Sequence, residues 1–319
     1  MRSLFACLAA CLALFATAAK AETYPTRPIT IVVPFAPGSG TDSIARIIGQ
    51  HLSVALNQSV VIENKVGASG VLAATYVARA APDGYTLLMA TNSTHSANPY
   101  LFKSLAYDPV KDFAPVARAG SYVFMLVVNP DVPAKTLPEL IAYAKANPGK
   151  LTFASGNTTG IVAGETLKAR GGVDILHIPY KSTPPALNDV IGGRVSMMFI
   201  DLAPGLEHVR AGTLRALAVT TRERSALLRD LPSLHEAGIP GYDVTSWAGL
   251  FAPAGTPKEI VDRLNAEVRK IIANPEAKAR IAVTGFDAFS GPPEALAAFV
   301  QSELVNWAKL IKESGIEPQ

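Results

Sequence analysis

Residues 28–56 read PITIVVPFAPGSGTDSIARIIGQHLSVAL. Pro28–Val33 is a short, β-branched apolar run of the kind that forms a buried strand. From Ser43 to Leu56, Ile44, Ile47, Ile48, Leu52 and Leu56 recur at helical spacing on one face. Between them lies Phe35-Ala36-Pro37-Gly38-Ser39-Gly40-Thr41-Asp42. Its glycines let backbone N–H groups approach a ligand, Ser39 and Thr41 add hydroxyl donors, and a helix start favours an anion. It is neither G-x-x-x-x-G-K-[ST] nor G-x-G-x-x-G, since Ser43 stands where the third glycine belongs. Two readings are open at this point: an anion site, or a tight βα turn with Thr41 or Asp42 as the helix cap.

Outward from this unit the same alternation continues. Val60–Glu63, Thr86–Ala90, Leu151–Ala154, Ile175–Ile178, Val195–Ile200 and Arg215–Thr220 carry the strand signal. Gly70–Ala80, Leu137–Ala146, Gly160–Ala169, Thr183–Ile191 and Pro257–Ile272 carry the helix signal. Pro257 and Pro293 stand where helices start, Gly149 and Gly212 where they stop. The expectation is an α/β protein with mostly parallel sheets flanked by helices. Two longer extended segments, Tyr122–Asn129 and Asp243–Pro253, have no crossover helix directly after them. They predict two lobes joined by two crossing strands: residues 22–124 with 247–319 as a discontinuous first lobe, and 125–246 as the second.

Composition narrows the function. The chain has 319 residues, 49% hydrophobic and 17% charged, enough apolar material for packed lobes and too little charge for disorder. Residues 1–21, MRSLFACLAACLALFATAAKA, combine Arg2, an apolar run from Leu4 to Phe15 and the A-x-A site Ala19-Lys20-Ala21. This reads as a signal peptide with the mature chain starting at Glu22, against the rivals of a buried N-terminal helix or a lipobox ending at Cys11. Both cysteines, Cys7 and Cys11, fall inside it, so the mature chain would have no disulfide, thiol nucleophile or cysteine-held metal. Without Arg2 and Lys20 there remain 27 basic and 26 acidic residues, and aromatics are 7%. Such a body is a poor nucleic-acid binder, and outside the leader no apolar run is long enough to span a bilayer. The expected location is the periplasm.

Phe153-Ala154-Ser155-Gly156-Asn157-Thr158-Thr159-Gly160 repeats the strand, small polar loop, helix order in the second lobe. Paired loops at strand carboxyl ends are where α/β proteins bind ligands, and this pair suits a small organic carboxylate. Thr91-Asn92-Ser93-Thr94-His95 should open on the same edge, with His95 a solvated loop residue in preference to a hydrogen-bond donor to an anion. Asp201 ends a strand on a carboxyl edge, where it would hold water, accept from a ligand hydroxyl or ammonium, or cap the next helix. Met197 and Met198 read as core. No nucleophile elbow is present, since neither Pro37-Gly38-Ser39-Gly40 nor Gly67-Ala68-Ser69-Gly70 fits G-x-S-x-G. His51, His95, His177, His208 and His235 show no metal spacing. The expected binding residues are Phe35, Gly38, Ser39, Gly40, Thr41, Asp42, Thr91, Asn92, Ser155, Gly156, Asn157, Thr158, Thr159 and Asp201. No catalytic residue, metal or cofactor is expected.

Five motifs occur in order: Tyr24-Pro25-x-Arg27-Pro28-Ile29, PFAPGSGTDSIAR, Glu63-Asn64-Lys65-x-Gly67-Ala68-x-Gly70, Pro82-Asp83-Gly84-Tyr85-Thr86-Leu87 and Ile178-Pro179-Tyr180-Lys181. Together they resemble the Bug family, the TctC-like periplasmic solute receptors of tripartite tricarboxylate transporters. The resemblance implies a two-lobed periplasmic-binding-protein fold, type II-like, that closes on a carboxylated ligand, with membrane components of such a transporter as partners and a monomeric receptor. It implies that Gly38–Asp42 and Ser155–Thr159 hold the ligand's carboxylate, partly through water. Two departures bear on pocket size: Gly38-Ser39-Gly40 replaces the usual Gly-Gly-Gly or Gly-Gly-Ser, and the second loop is shorter than the family's Gly-Ser-rich form. A periplasmic hydrolase using the Gly-Ser-Gly loop, and a ligand-loaded partner of a sensor protein, are the alternative readings.

Overall fold

The computed structural model describes residues 24–226 and 228–318. The expected leader, with Cys7 and Cys11, lies outside them. Strands β1 (Ile29–Val33), β2 (Val60–Asn64) and β3 (Thr86–Thr91) alternate with helices α1 (Gly40–Leu56) and α2 (Val71–Ala78). There follow β4 (Phe113–Tyr122), β5 (Phe124–Val128), α3 (Leu137–Ala146), β6 (Thr152–Ser155), α4 (Thr158–Gly171), β7 (Leu176–Pro179) and α5 (Thr183–Ile191). The chain continues through β8 (Met197–Asp201), α6 (Leu202–Arg210), β9 (Arg215–Val219) and β10 (Ser246–Pro253). It ends with α7 (Lys258–Ala273), α8 (Pro275–Ala282), β11 (Phe286–Ala288) and α9 (Pro293–Glu313).

These strands form two sheets, β11-β4-β10-β3-β1-β2 and β7-β6-β8-β5-β9. The βα side of each is parallel: β1 pairs with β2 and β3, and β6 with β7 and β8. The strands that pass between the sheets enter antiparallel, β10 against β3 and β4, and β5 against β8 and β9. Each sheet is therefore mixed, and the expectation of mostly parallel pairing holds only for the βα side. The expected single strand Tyr122–Asn129 is a joint: β4 ends at Tyr122 in the first sheet, and β5 begins at Phe124 in the second. The chain returns through β10, whose eight residues are all buried.

The periodicity read in α1 has a direct physical result. Ile44, Ile48 and Leu52 are completely buried, each burial worth roughly 1.5–3 kcal/mol. Ser39 caps the helix through its side chain, in place of the expected Thr41 or Asp42, and Asn57 ends it in the left-handed conformation at φ 49°. Helix α6 lies where the cap position at Asp201 and the stop at Gly212 imply one, although Pro204 and Gly205 interrupt its apolar pattern. Gly205 lets α6 pack closely on β5 and β8, since a Cβ would lie 2.5 Å from the flexible end of Met125 and 3.0 Å from Ile200 Cγ2. His95, expected in solvent, is fully buried on a π-helical turn, Ser93–Ala97. Its ring lies 4.2 Å from that of Phe251 and 4.6 Å from that of Phe113, so apolar contacts outweigh exposure. Burial lowers its pKa to about 3, so the ring is neutral at ordinary pH.

Gly156 is a spacer between β6 and α5. A Cβ on it would sit 2.3 Å from the backbone nitrogen of Thr183, and backbone cannot swing aside. Gly156→Ala is expected to cost about 1–3 kcal/mol of stability, seen as a lower urea midpoint. An unchanged midpoint would show that the two segments are free to separate.

Candidate functional site

The carboxyl ends of the two sheets face each other. At their junction lies a narrow cavity with free space of about 10 Å³, lined by Phe35, Thr41, Thr91, Asn92, Ser93, Tyr122, Phe124, Asn157, Thr159, Asp201 and Ser246. Of the residues expected from sequence, Phe35, Thr41, Thr91, Asn92, Asn157, Thr159 and Asp201 are brought together on its wall. Ser93, Tyr122, Phe124 and Ser246 were not expected. They come from the crossing strands and the turn after β3, and ladder register aligns them: Ser246 is opposite Tyr122, and Phe124 opposite Asp201. The available signal was topological, because a strand that crosses between lobes must pass the cleft.

The remaining expected residues sit behind the wall. Asp42 receives hydrogen bonds from the Gly38 N–H (3.0 Å), Asn64 Nδ2 (2.9 Å) and Arg46 Nε (2.9 Å). Burial pushes its pKa up, but the bonds from Arg46, Asn64 and Gly38 outweigh it and hold the carboxyl below its ordinary value. Asp42 thus fastens the Gly-Ser-Gly turn, and its charge and that of Arg46 are spent on each other. Gly38 turns the chain at φ 82°. The Ser39 hydroxyl accepts from the Asp42 N–H at 3.3 Å. The Ser155 hydroxyl is bonded to His177 Nε2 at 2.6 Å. Thr158 donates to the Ser93 hydroxyl at 2.6 Å, across the two sheets.

Thr158 is one of several contacts that join the lobes. Asn92 Nδ2 donates to Thr159 Oγ1 at 2.9 Å, and the Ala36 N–H donates to Ser182 Oγ at 3.0 Å. The Ser246 hydroxyl donates to Asn92 Oδ1, orienting that amide. The donors on the wall are hydroxyls and amides, and among the described residues no lysine or arginine lines the cavity. Helices α1, α4 and α6 all begin at it, each bringing the partial positive charge of a helix start. This arrangement suits a small anion held by dipoles and charge-assisted hydrogen bonds.

Among the described residues, Asp201 is the only carboxyl on the wall. It is the N-terminal cap residue of α6 by position, yet its side chain makes no capping hydrogen bond. That removes the capping role from the three expected for it. Its Oδ1 is buried without a partner, and burial pushes its pKa up to about 7. The described residues hold no group of three or more His, Cys, Asp or Glu able to bind a metal.

A cleft of neutral donors between two α/β sheets defines a solute-binding receptor of the periplasmic-binding-protein class. The family model for the tripartite tricarboxylate transporter family receptor matches residues 44–316. Protein BugT of Bordetella pertussis is 36% identical over 300 residues, covering 93% of this chain and 92% of BugT. The structure of R. palustris Rpa4515 with adipate is similar at TM-score 0.91 and 37% identity, covering 93% of this chain and 100% of that one. MatC (Rpa3494) from Rhodopseudomonas palustris with bound malate gives 0.84 at 36% identity, over 90% of this chain and 100% of its own. Periplasmic binding protein BugD gives 0.89 at 36% identity, over 93% and 100%. The chain belongs to the Bug, or TctC, family of non-enzymatic solute receptors of tripartite tricarboxylate transporters.

Because Asp42 is held below its ordinary pKa, it stabilises the fold above about pH 4, and that contribution fades as pH falls through its folded value. Asp42→Asn should cost about 1–3 kcal/mol at pH 7, with the gap from the parent shrinking at pH 3. Urea titrations at the two pH values measure this. A gap that is constant with pH would show that Asp42 charge does not anchor the turn.

Proposed function

We propose that this chain is an exported periplasmic receptor that holds a short organic acid by its carboxylate between the two lobes, for uptake by a tripartite tricarboxylate-type transporter. The observation that carries the reading is the junction cavity, to which both sheets contribute neutral donors and three helices contribute their N-termini. A carboxylate leaving water needs several donors, and this wall offers them without a cation. The free space of about 10 Å³ is about what one water needs, so on this reading the lobes part to admit an acid and close on it. Relatives whose structures hold adipate and malate support a ligand with a carboxylate at each end.

The moving bodies are residues 22–124 with 247–319, and residues 125–246, closing about the joint after Tyr122 and the start of β10. Residues 1–21 are the export signal, and the receptor acts as a monomer. The ligand-holding set is Thr41, Thr91, Asn92, Asn157, Thr159 and Asp201, lined by Phe35. Gly38, Ser39, Gly40, Asp42, Ser155, Gly156 and Thr158 shape and support it.

Mass spectrometry of molecules released from the purified protein, followed by a thermal-shift screen of dicarboxylates, tests the reading. A ligand at a hundred times its dissociation constant adds about 2.7 kcal/mol of stability. Failure of every organic acid to raise the melting temperature would overturn it. Thr41→Val removes a wall hydroxyl and is expected to weaken the bound acid by about tenfold to a hundredfold. Thr158→Val removes a bond between lobes and should weaken it less, by about threefold to tenfold. Calorimetric titration of both variants measures the difference, and unchanged affinity in both would place the carboxylate elsewhere.

A further inference from the structure

The wall of the cavity contains one group that does not suit a simple anion site, the carboxyl of Asp201. The residue is 5% exposed and Oδ1 has no hydrogen-bond partner, although an N-terminal cap position places helix N–H groups nearby. Its position is fixed tightly, since a Cβ on Gly40 would come within 2.2 Å of Oδ1. It therefore packs against the first turn of α1, directly beside Thr41. The elements around it bring Tyr122 from β4, Phe124 from β5, Asn92 from the turn after β3, and Ser246 from β10. None of these carries a positive charge. Asp42 of α1 is tied to Arg46 and Asn64, and His177 of β7 to Ser155. The Tyr122 hydroxyl is held neutral by burial, with Asp201 acting in the same direction.

An ionised Asp201 and a ligand carboxylate would thus share one buried cavity whose lining holds no cation to separate them, a like-charge pair in low dielectric. We propose that Asp201 enters the complex as a neutral carboxylic acid and donates its proton in a hydrogen bond to one ligand carboxylate oxygen. This makes it a specificity residue that couples binding to proton uptake and selects acids without an ammonium group near that carboxylate. The inference rests on the receptor reading above. No covalent bond changes: a proton from solvent occupies Asp201 and stays there in the complex. Burial already pushes the free carboxyl up to about 7, and a ligand's negative charge pushes it further the same way. The sign follows. Below pH 7 Asp201 is already protonated and affinity is flat. Above pH 7 each bound ligand takes up one proton, and affinity falls about tenfold per pH unit.

The first arm of the test needs no ligand. Carbon-13 NMR of the aspartate carboxyls, assigned by comparison with Asp201→Asn, should show Asp201 titrating near pH 7. A midpoint below pH 5 would overturn the inference. The second arm is calorimetry of the wild-type protein with succinate, malate, adipate and aspartate, in buffers of different ionisation enthalpy at pH 6 and 8.5. The expected result is about one proton taken up per ligand at pH 8.5 and almost none at pH 6, with succinate preferred over aspartate by at least about tenfold. Acid binding at pH 8.5 without proton uptake, or a preference for aspartate, would show an ionised Asp201 that accepts from a ligand donor. Asp201→Asn, which donates from the same place without titrating, should bind within about threefold at pH 6 and lose the pH dependence. A loss above about a hundredfold in a variant with unchanged melting temperature would also overturn the inference. If no organic acid binds the wild type while Asp201 still titrates near pH 7, the receptor's ligand class is what fails.

Discussion

The carboxylate of Asp42 is the contact on which the cleft depends. It accepts from the turn's own backbone at Gly38, from Asn64 at the end of β2 and from Arg46 one turn along α1. Three bonds to one anion fix the strand-to-helix turn in a single conformation, and charge-assisted bonds are the strong ones. The same bonds leave Arg46 directed at Asp42, away from the cavity. What then faces the cavity is Thr41 and the first turn of α1, a neutral surface with a dipole. The charge pair that anchors the turn thus lies outside the cavity lining and adds no cation to it.

Neutrality has consequences for specificity. A guanidinium in the cavity would hold almost any carboxylate by charge alone. Hydroxyls and amides hold it only where their geometry matches, so size and shape decide. Phe35 and Phe124 complete the wall with apolar surface that donates nothing. The family resemblance does not depend on the wall alone. Tyr24, Arg27, Asp83, Gly84 and Tyr85 meet at a separate corner, where the Tyr24 hydroxyl donates to Gly84 O at 2.7 Å and Arg27 pairs with Asp83 at 2.8 Å. Gly84 is required there at φ 80°, because a Cβ would strike Ile260 and Tyr24. Two of the five sequence motifs thus hold the lobe together at this corner and do not contact the cavity.

The sequence made the βα units legible because their signal is local: α1 repeats every three to four residues, and β1 is one apolar run. It also singled out both loops, since Gly-Ser-Gly and Ser-Gly-Asn-Thr-Thr-Gly are local compositions. It did not separate Thr41, on the wall, from Asp42, behind it, because adjacent helical residues differ by about 100° in direction and the turn's partners are remote in sequence. Tyr122, Phe124 and Ser246 were missed for a different reason. Each pairs with a strand residue 77 to 164 residues away, and register between such strands leaves no mark in the local pattern. His95 was misread because polarity suggested solvent, whereas its neighbours Phe113, Trp247 and Phe251 come from distant strands.

The bonds between lobes set the scale on which a ligand acts. Asn92 to Thr159, Thr158 to Ser93 and Ala36 to Ser182 are neutral hydrogen bonds, each worth about 0.5–1.5 kcal/mol net. Arg170 and Glu313 add an ion pair between α4 and α9, and both are part exposed, so it contributes about 0–1 kcal/mol. These polar contacts between the lobes come to a few kcal/mol, beside the apolar packing of a buried core that includes residues of both sheets. A ligand that gains two charge-assisted bonds at about 1.5–3 kcal/mol each supplies a comparable amount. Asn92 and Thr159 lie on the cavity wall and also bond to each other across the lobes. In the receptor reading proposed above, two groups that would meet a ligand also join the lobes, so lobe position and ligand occupancy would share one balance of free energy.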